Sequence, residues 1–135
     1  LPVPTPVAAR YQHAGFLYRA DLITAELPVR RTLTQALQQA SLPTETWHAI
    51  GQCVGSLHAR GVQHADLNAH NLLVGASNDI YALDFDRGRI RARGEWERAV
   101  LARLQRSWRK VTTGQPAERF TEAHWQALLA GAGAG

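Results

Sequence analysis

Apolar side chains along this chain fall into two rhythms. Phe16, Tyr18, Ala20 and Leu22 alternate with Leu17, Arg19, Asp21 and Ile23, a period of two that predicts a strand. Residues 1–10 precede it, punctuated by Pro2, Pro4 and Pro6, and are expected to be extended. Thr32 to Ala40 reads as a short helix. Trp47, Ile50, Val54 and Leu57 then recur at steps of three and four, the buried stripe of a longer helix. That helix opens around Ser41–Glu45, where Pro43 and Glu45 suit a first turn, and ends at Gly61, suited to a left-handed cap. Gly51 and Gly55 inside it cost about 1 kcal/mol each in propensity, tolerable where a neighbour packs closely. Leu72–Val74 and Ile80–Leu83 read as short strands joined by the turn residues Gly75–Asp79. Trp96, Val100, Leu104 and Trp108 step by four and predict a helix over 95–111. Thr112–Arg119 follows as a loop. Thr121–Ala130 is a last helix capped near Thr121, and 131–135 is expected to fray.

The chemistry lies in the least periodic stretch. His64-Ala65-Asp66-Leu67-Asn68-Ala69-His70-Asn71 follows the Gly61 stop, and Asp84-Phe85-Asp86 closes the second short strand, thirteen residues after Asn71. Such pieces are similar to those of the protein-kinase-like fold, where transfer of a phosphoryl group from ATP needs an acceptor hydroxyl in line, a carboxylate to take its proton, and metal over the phosphates. On that resemblance Asp66 would supply the carboxylate, and Asn68 could hold it or touch the transferring group. Asn71 and Asp84 would supply the hard oxygens that magnesium prefers. His64 is expected to bond to backbone near the Asp84 loop. In order and beside two short strands, these pieces resemble the catalytic loop and metal-binding aspartate of the protein-kinase-like fold.

That resemblance implies an α+β chain. Residues 1–27 would be a remnant of the N-terminal β lobe with its hinge, and 28–135 a mostly helical C-terminal lobe. Thr24–Pro28 would be the hinge, whose backbone at Glu26 and Leu27 meets the adenine of ATP. A plain strand-to-helix connection fits these residues equally well.

Composition narrows the field. The 135 residues hold one cysteine, Cys53, so no internal disulfide exists. Its place in the helix pattern marks it as a buried small residue. No apolar run approaches the ~20 residues of a membrane span, and the start lacks the basic head and apolar middle of a signal peptide. His48, His58, His64 and His70 share no helix face and no cysteine pattern joins them, so a zinc set is not indicated. Methionine is absent, even at position 1, and Lys110 is the only lysine. A kinase-like fold carries its phosphate-anchoring lysine well before the catalytic loop. That lysine, like a Gly-x-Gly-x-x-Gly loop, has no counterpart before Asp66. The chain is therefore expected to be a fragment of a longer protein, impaired or inactive alone.

Charge adds a partner. Nine of the fifteen basic residues lie between Arg87 and Lys110. Such a run is either a solvated face or the seat of an anionic partner: phosphates, acidic sugars or a membrane surface. Nucleic acid is not indicated, because no aromatic strand motif or recognition-helix pattern accompanies it. No pattern sets an oligomeric state.

Beyond kinases in general, His64–Leu73 together with Leu83–Arg89 resembles the 3-deoxy-D-manno-octulosonic acid (Kdo) kinase family of lipopolysaccharide core kinases. Tyr18–Thr24 and the Trp96–Lys110 helix extend the similarity over about residues 15–110. Generic kinases usually carry arginine where Ala65 stands and glycine where Asp86 stands. The resemblance implies ATP- and magnesium-dependent phosphorylation of the Kdo 4-hydroxyl on a Kdo–lipid A precursor. It implies peripheral attachment to the cytoplasmic face of a bacterial inner membrane. Asp66 would be the base, with Asn71 and Asp84 on magnesium. Two other classes stay open: a non-catalytic kinase-like binding module, and a kinase of another small molecule, similar to aminoglycoside phosphotransferases.

Overall fold

A computed structural model describes residues 1–28 and 31–134. Val29 and Arg30, just after the expected hinge, and Gly135, last of the expected tail, lie outside the described residues. The fold is α+β: helices pack on one another, and the strands of the described residues join in antiparallel pairs.

The first pair is a hairpin of β1 (Pro6–Ala14) and β2 (Leu17–Thr24). Gly15 takes φ +61° at its tip, the first turn position, where tight hairpins favour glycine. Arg10 pairs with Asp21 across the ladder at 2.7 Å, and Tyr11 stacks on Tyr18 with ring centroids 5.3 Å apart. The predicted strand is β2; the N-terminal extended stretch is its partner, running on to Ala14. Alternation marked the strand, yet every residue of β2 is exposed, because no second layer of described residues covers either face.

Helix α1 (Leu33–Gln39) starts at a capping box, Thr32 accepting from the Gln35 N–H and Gln35 reaching back. Helix α2 (Thr44–Ala59) buries Trp47, Ile50, Val54 and Leu57, the predicted stripe. Gly61 follows at φ +68°, with its N–H on the His58 carbonyl at 2.8 Å. The next residues form β3 (Val62–Gln63), and then β4 (Leu72–Val74) pairs with β5 (Ile80–Ala82) through a turn in which Asn78 takes φ +60°. The N–H of Ala82 reaches the Pro2 carbonyl at 2.8 Å, docking the N-terminus beside β5.

Two features depart from expectation. Arg89–Ile90, within the alternating arginines, is strand β6, paired with β3. The alternation there sets arginines against Gly88, Ile90 and Ala92, with Ile90 the one large apolar side chain, so no apolar period marks a strand. The glycine-alanine tail does not fray where expected. Helix α3 spans Trp96–Val111, and α4 runs Glu122–Ala132 from a Thr121 cap to Gly133, which takes φ +66°. The Ala134 N–H closes on the Leu129 carbonyl at 3.0 Å, so the helix ends in a Schellman motif.

Glycine explains why that tail is ordered. A Cβ on Gly51 would meet the Leu128 carbonyl oxygen at 2.1 Å, and one on Gly131 would meet the His48 carbonyl oxygen at 2.1 Å. Helices α2 and α4 therefore cross backbone to backbone. Helix α3 is keyed on by aromatics: Trp108 meets Trp47 edge-on at 4.9 Å and Trp125 at 5.9 Å. Cys53 is buried, and burial pushes its thiol up to about 12, so it packs as a small hydrophobe. His58 is buried against the Trp96 ring at 5.0 Å. Burial lowers its pKa below the ordinary 6.5, with Glu97 opposing and Arg93 reinforcing the shift.

Gly51→Ala sets a propensity gain of about 1 kcal/mol against overpacking onto backbone, which costs roughly 1–3 kcal/mol. The nearest atoms cannot rotate away, so a net loss is expected in urea unfolding; an unchanged or raised midpoint would show that the helices separate freely. Because the fold favours neutral His58, its stabilising contribution is complete above the unfolded value near 6.5 and is lost as pH falls below it. The melting temperature should drop between pH 7.5 and 5.5, and His58→Gln should flatten that drop; an equal slope in the variant would clear His58 of the effect.

Candidate active site

The loop from His64 to Asn71 is held from three sides. His64 is 2% exposed. Its Nε2–H donates to the Leu83 carbonyl at 2.7 Å, and its Nδ1 accepts the Asp66 N–H at 3.3 Å. One neutral tautomer satisfies both partners, and the bond to the Leu83 carbonyl is the backbone contact near Asp84 that the sequence led us to expect. Phe85 packs on the ring with centroids 4.7 Å apart. Leu67, Ala69 and Leu72 are fully buried and alternate with the polar residues. Buried side chains thus anchor the loop while Asp66 and Asn68 stay at the surface of the core.

The Asp66 carbonyl accepts from the Asn68 side-chain amide at 2.9 Å and from that of Asn71 at 3.1 Å. Asn68 Oδ1 in turn accepts the His70 N–H at 2.8 Å. Both asparagines therefore brace the backbone of Asp66. With its amide N–H so engaged, Asn71 keeps Oδ1 without a partner among the described residues. The Leu83 N–H bonds to the Asn71 carbonyl at 2.9 Å, so Asp84 stands one residue beyond Asn71's partner across the strand pair.

Asp84 takes φ +62°, a left-handed backbone that Asp tolerates better than most residues. Such strain gathers at functional sites. Its carboxylate is exposed, makes no ion pair among the described residues, and shares a cleft of about 290 Å³ with Asp66, Asp86 and Arg87. No group of three or more His, Cys, Asp or Glu able to hold a metal exists among the described residues. An unpartnered carboxylate and an amide oxygen still fit an ion such as magnesium, which keeps water and phosphate for its other positions.

Helix α3 closes the third side. Ser107 Oγ accepts the Ala69 N–H at 3.1 Å, and Arg103 is ion-paired with the Asp66 carboxylate. The sequence profile of the lipopolysaccharide kinase (Kdo/WaaP) family matches residues 1–131. The chain belongs to that family.

Its relatives agree. It is 40% identical over 129 residues to the 3-deoxy-D-manno-octulosonic acid kinase of Photobacterium profundum, covering 96% of this chain and 54% of that protein. The kinases of the same name from Pasteurella multocida and Haemophilus influenzae are 41% and 39% identical over 135 residues, covering 97% and 96% of this chain and 56% of each relative. The chain spans about half the length of the curated relatives it matches.

The structure thus gathers Asp66, Asn68, Asn71 and Asp84 around one loop pair. Glu26 and Leu27 stand apart in the segment after β2, Glu26 exposed and Leu27 half-buried. Neither lines the Asp66–Asp84 cleft. The nearer contact from the hairpin is Thr24, which with Leu22 lines a separate cavity bordered by Leu83, Asp84 and Phe85. Arg103 and Ser107 are the contributions that sequence reasoning did not single out. They sat within a helix predicted by its apolar stripe; Arg103 was signalled only as one of the basic run, and Ser107 carried no local signal.

Proposed function

We propose that this chain is the large-lobe portion of a kinase-like phosphotransferase. It would phosphorylate the 4-hydroxyl of Kdo on a Kdo–lipid A precursor, with ATP as donor, in lipopolysaccharide core synthesis. The observation that carries this reading is the single cleft walled by Asp66 and Asp84, with Asn71 tied to the Asp66 backbone. Family membership and relatives named for this acid support it. Residues 1–27 are read as the remnant of the small lobe, and 28–135 as the large lobe.

Asp66 receives the proton of the attacking hydroxyl, which raises the oxygen's nucleophilicity as its bond to phosphorus forms. Asn68 and Asn71 hold the Asp66 backbone at the height this requires. Arg103 orients the carboxylate and is placed to move toward other negative charge. Asn71 and Asp84 would hold magnesium, which when bound neutralises phosphate charge. Glu26 and Leu27 would meet the adenine through their backbone. Lys110 is the only lysine and lies on α3, on the wall of a cavity that Asp66 also lines. No lysine of these 135 residues precedes Asp66, so turnover by this chain alone is expected to be impaired.

The exposed arginines Arg87, Arg89 and Arg109 suit attachment to an anionic surface, each contributing about 1 kcal/mol near such a membrane. No helix among the described residues is long and apolar enough to cross a membrane. We read the attachment, at the cytoplasmic face of the inner membrane, as peripheral and carried by these charges.

Transfer of labelled γ-phosphate to a Kdo–lipid A precursor, measured on the protein expressed from its full reading frame, should fall about 100-fold or more in Asp66→Asn with an unchanged melting temperature. Near-normal transfer would remove Asp66 as the base. Replacing Arg87, Arg89 and Arg109 by Glu should weaken binding to phosphatidylglycerol vesicles, most at low salt. Equal vesicle binding would return these arginines to a solvated face.

A further inference from the structure

Asp66 borders two cavities. One is the cleft shared with Asp84. The other holds about 600 Å³ and has Arg103, Arg106 and Lys110 on its wall, within the size range of small-molecule sites, roughly 300–1,000 Å³. These three cations stand at i, i+3 and i+7 on α3, so one helix face presents them together.

The charge on that wall is unbalanced. Among the described residues that line it, Asp66 is the only acid, and Arg103 already pairs with it. Arg106 and Lys110 are exposed and form no ion pair among the described residues. By contrast Arg93, just before α3, is held by Glu97 at 2.9 Å. A second observation points to a ligand here. Thr34 is 6% exposed, lines the same cavity, and its Oγ1 has no hydrogen-bond partner among the described residues. Buried hydroxyls rarely go unpaired. Gln38 and Asn68 add neutral donors and acceptors to the wall, the equipment that sugar hydroxyls need.

We propose that this cavity seats the phosphate acceptor as a sugar acid, its carboxylate between Arg106 and Lys110 and a hydroxyl turned to Asp66. The proposal rests on the kinase reading above and deepens it: Arg106 and Lys110 become the residues that select an acidic sugar over a neutral one. An anion entering beside Arg103 also offers that guanidinium a second partner, loosening its hold on Asp66 as the acceptor arrives. The shared chemistry is an anion on a sugar, whose source is either the acid's own carboxylate or a phosphate elsewhere on the glycolipid.

The test is calorimetric titration of the chain with free Kdo, with Kdo methyl ester and with inorganic phosphate. Wild type is compared with Arg106→Gln, Lys110→Gln and Arg98→Gln, a control on the same helix outside this cavity. Losing one charge-assisted contact should weaken binding about ten-fold or more. The acid should therefore bind at least that much better than the ester, and each cavity variant should lose a similar factor, with the Arg98 variant within two-fold of wild type. No binding of the acid, equal binding of acid and ester, or equal losses in all three variants would overturn the proposal. Phosphate displacing the acid at comparable concentration would reassign the wall to phosphate and overturn the carboxylate assignment. The kinase reading fails separately, by absence of Asp66-dependent phosphate transfer while acid binding keeps its dependence on Arg106 and Lys110.

Discussion

The buried imidazole of His64 joins the two segments that carry the acidic side chains. One nitrogen holds the Leu83 carbonyl next to Asp84, and the other holds the N–H of Asp66. A buried carbonyl or N–H left without a partner costs roughly 1–3 kcal/mol, so neither segment drifts from the other cheaply. The Leu83 N–H bond to the Asn71 carbonyl closes the same circuit from the strand side. Placement of the Asp66 and Asp84 carboxylates in one cleft follows from these backbone ties and needs no contact between the acids themselves.

The circuit needs a rigid platform, and α2 provides it. Its apolar stripe carries the core, and its glycines let α4 approach to backbone contact. Trp47 and Trp108 then lock α3 onto the same core. That lock fixes where the polar face of α3 points, which is how Ser107 reaches the Ala69 N–H and Arg103 reaches Asp66. Packing far from the acids thereby decides which cations face them.

Much of this was legible in the sequence, for a local reason. Helix α2 with its stripe, the Gly61 cap, the Thr121 cap and the β4–β5 pair each depend on side chains a few residues apart. The tail was misread because glycine and alanine look like a frayed end when their neighbours are unknown. In the fold, Gly131 is small because the His48 carbonyl lies against it. Strand β6 was missed because its alternation is one of charge, with Ile90 the one large apolar side chain between the arginines. The exposed faces of β2 show the converse: alternation identified the strand but could not say what lies over it.

By itself the sequence determined the chemical inventory and the family: an acid five residues before an amide, a second acid after a short strand, and the loop wording around them. These features are local, set by the residue types the loop requires. Only the tertiary structure decided that Arg103, thirty-seven residues from Asp66, is its partner. Only it decided that Arg106 and Lys110 share a wall with that acid. Helical periodicity says which face of α3 is apolar and is silent about what the other face meets, because that depends on how the helices and strand pairs pack together.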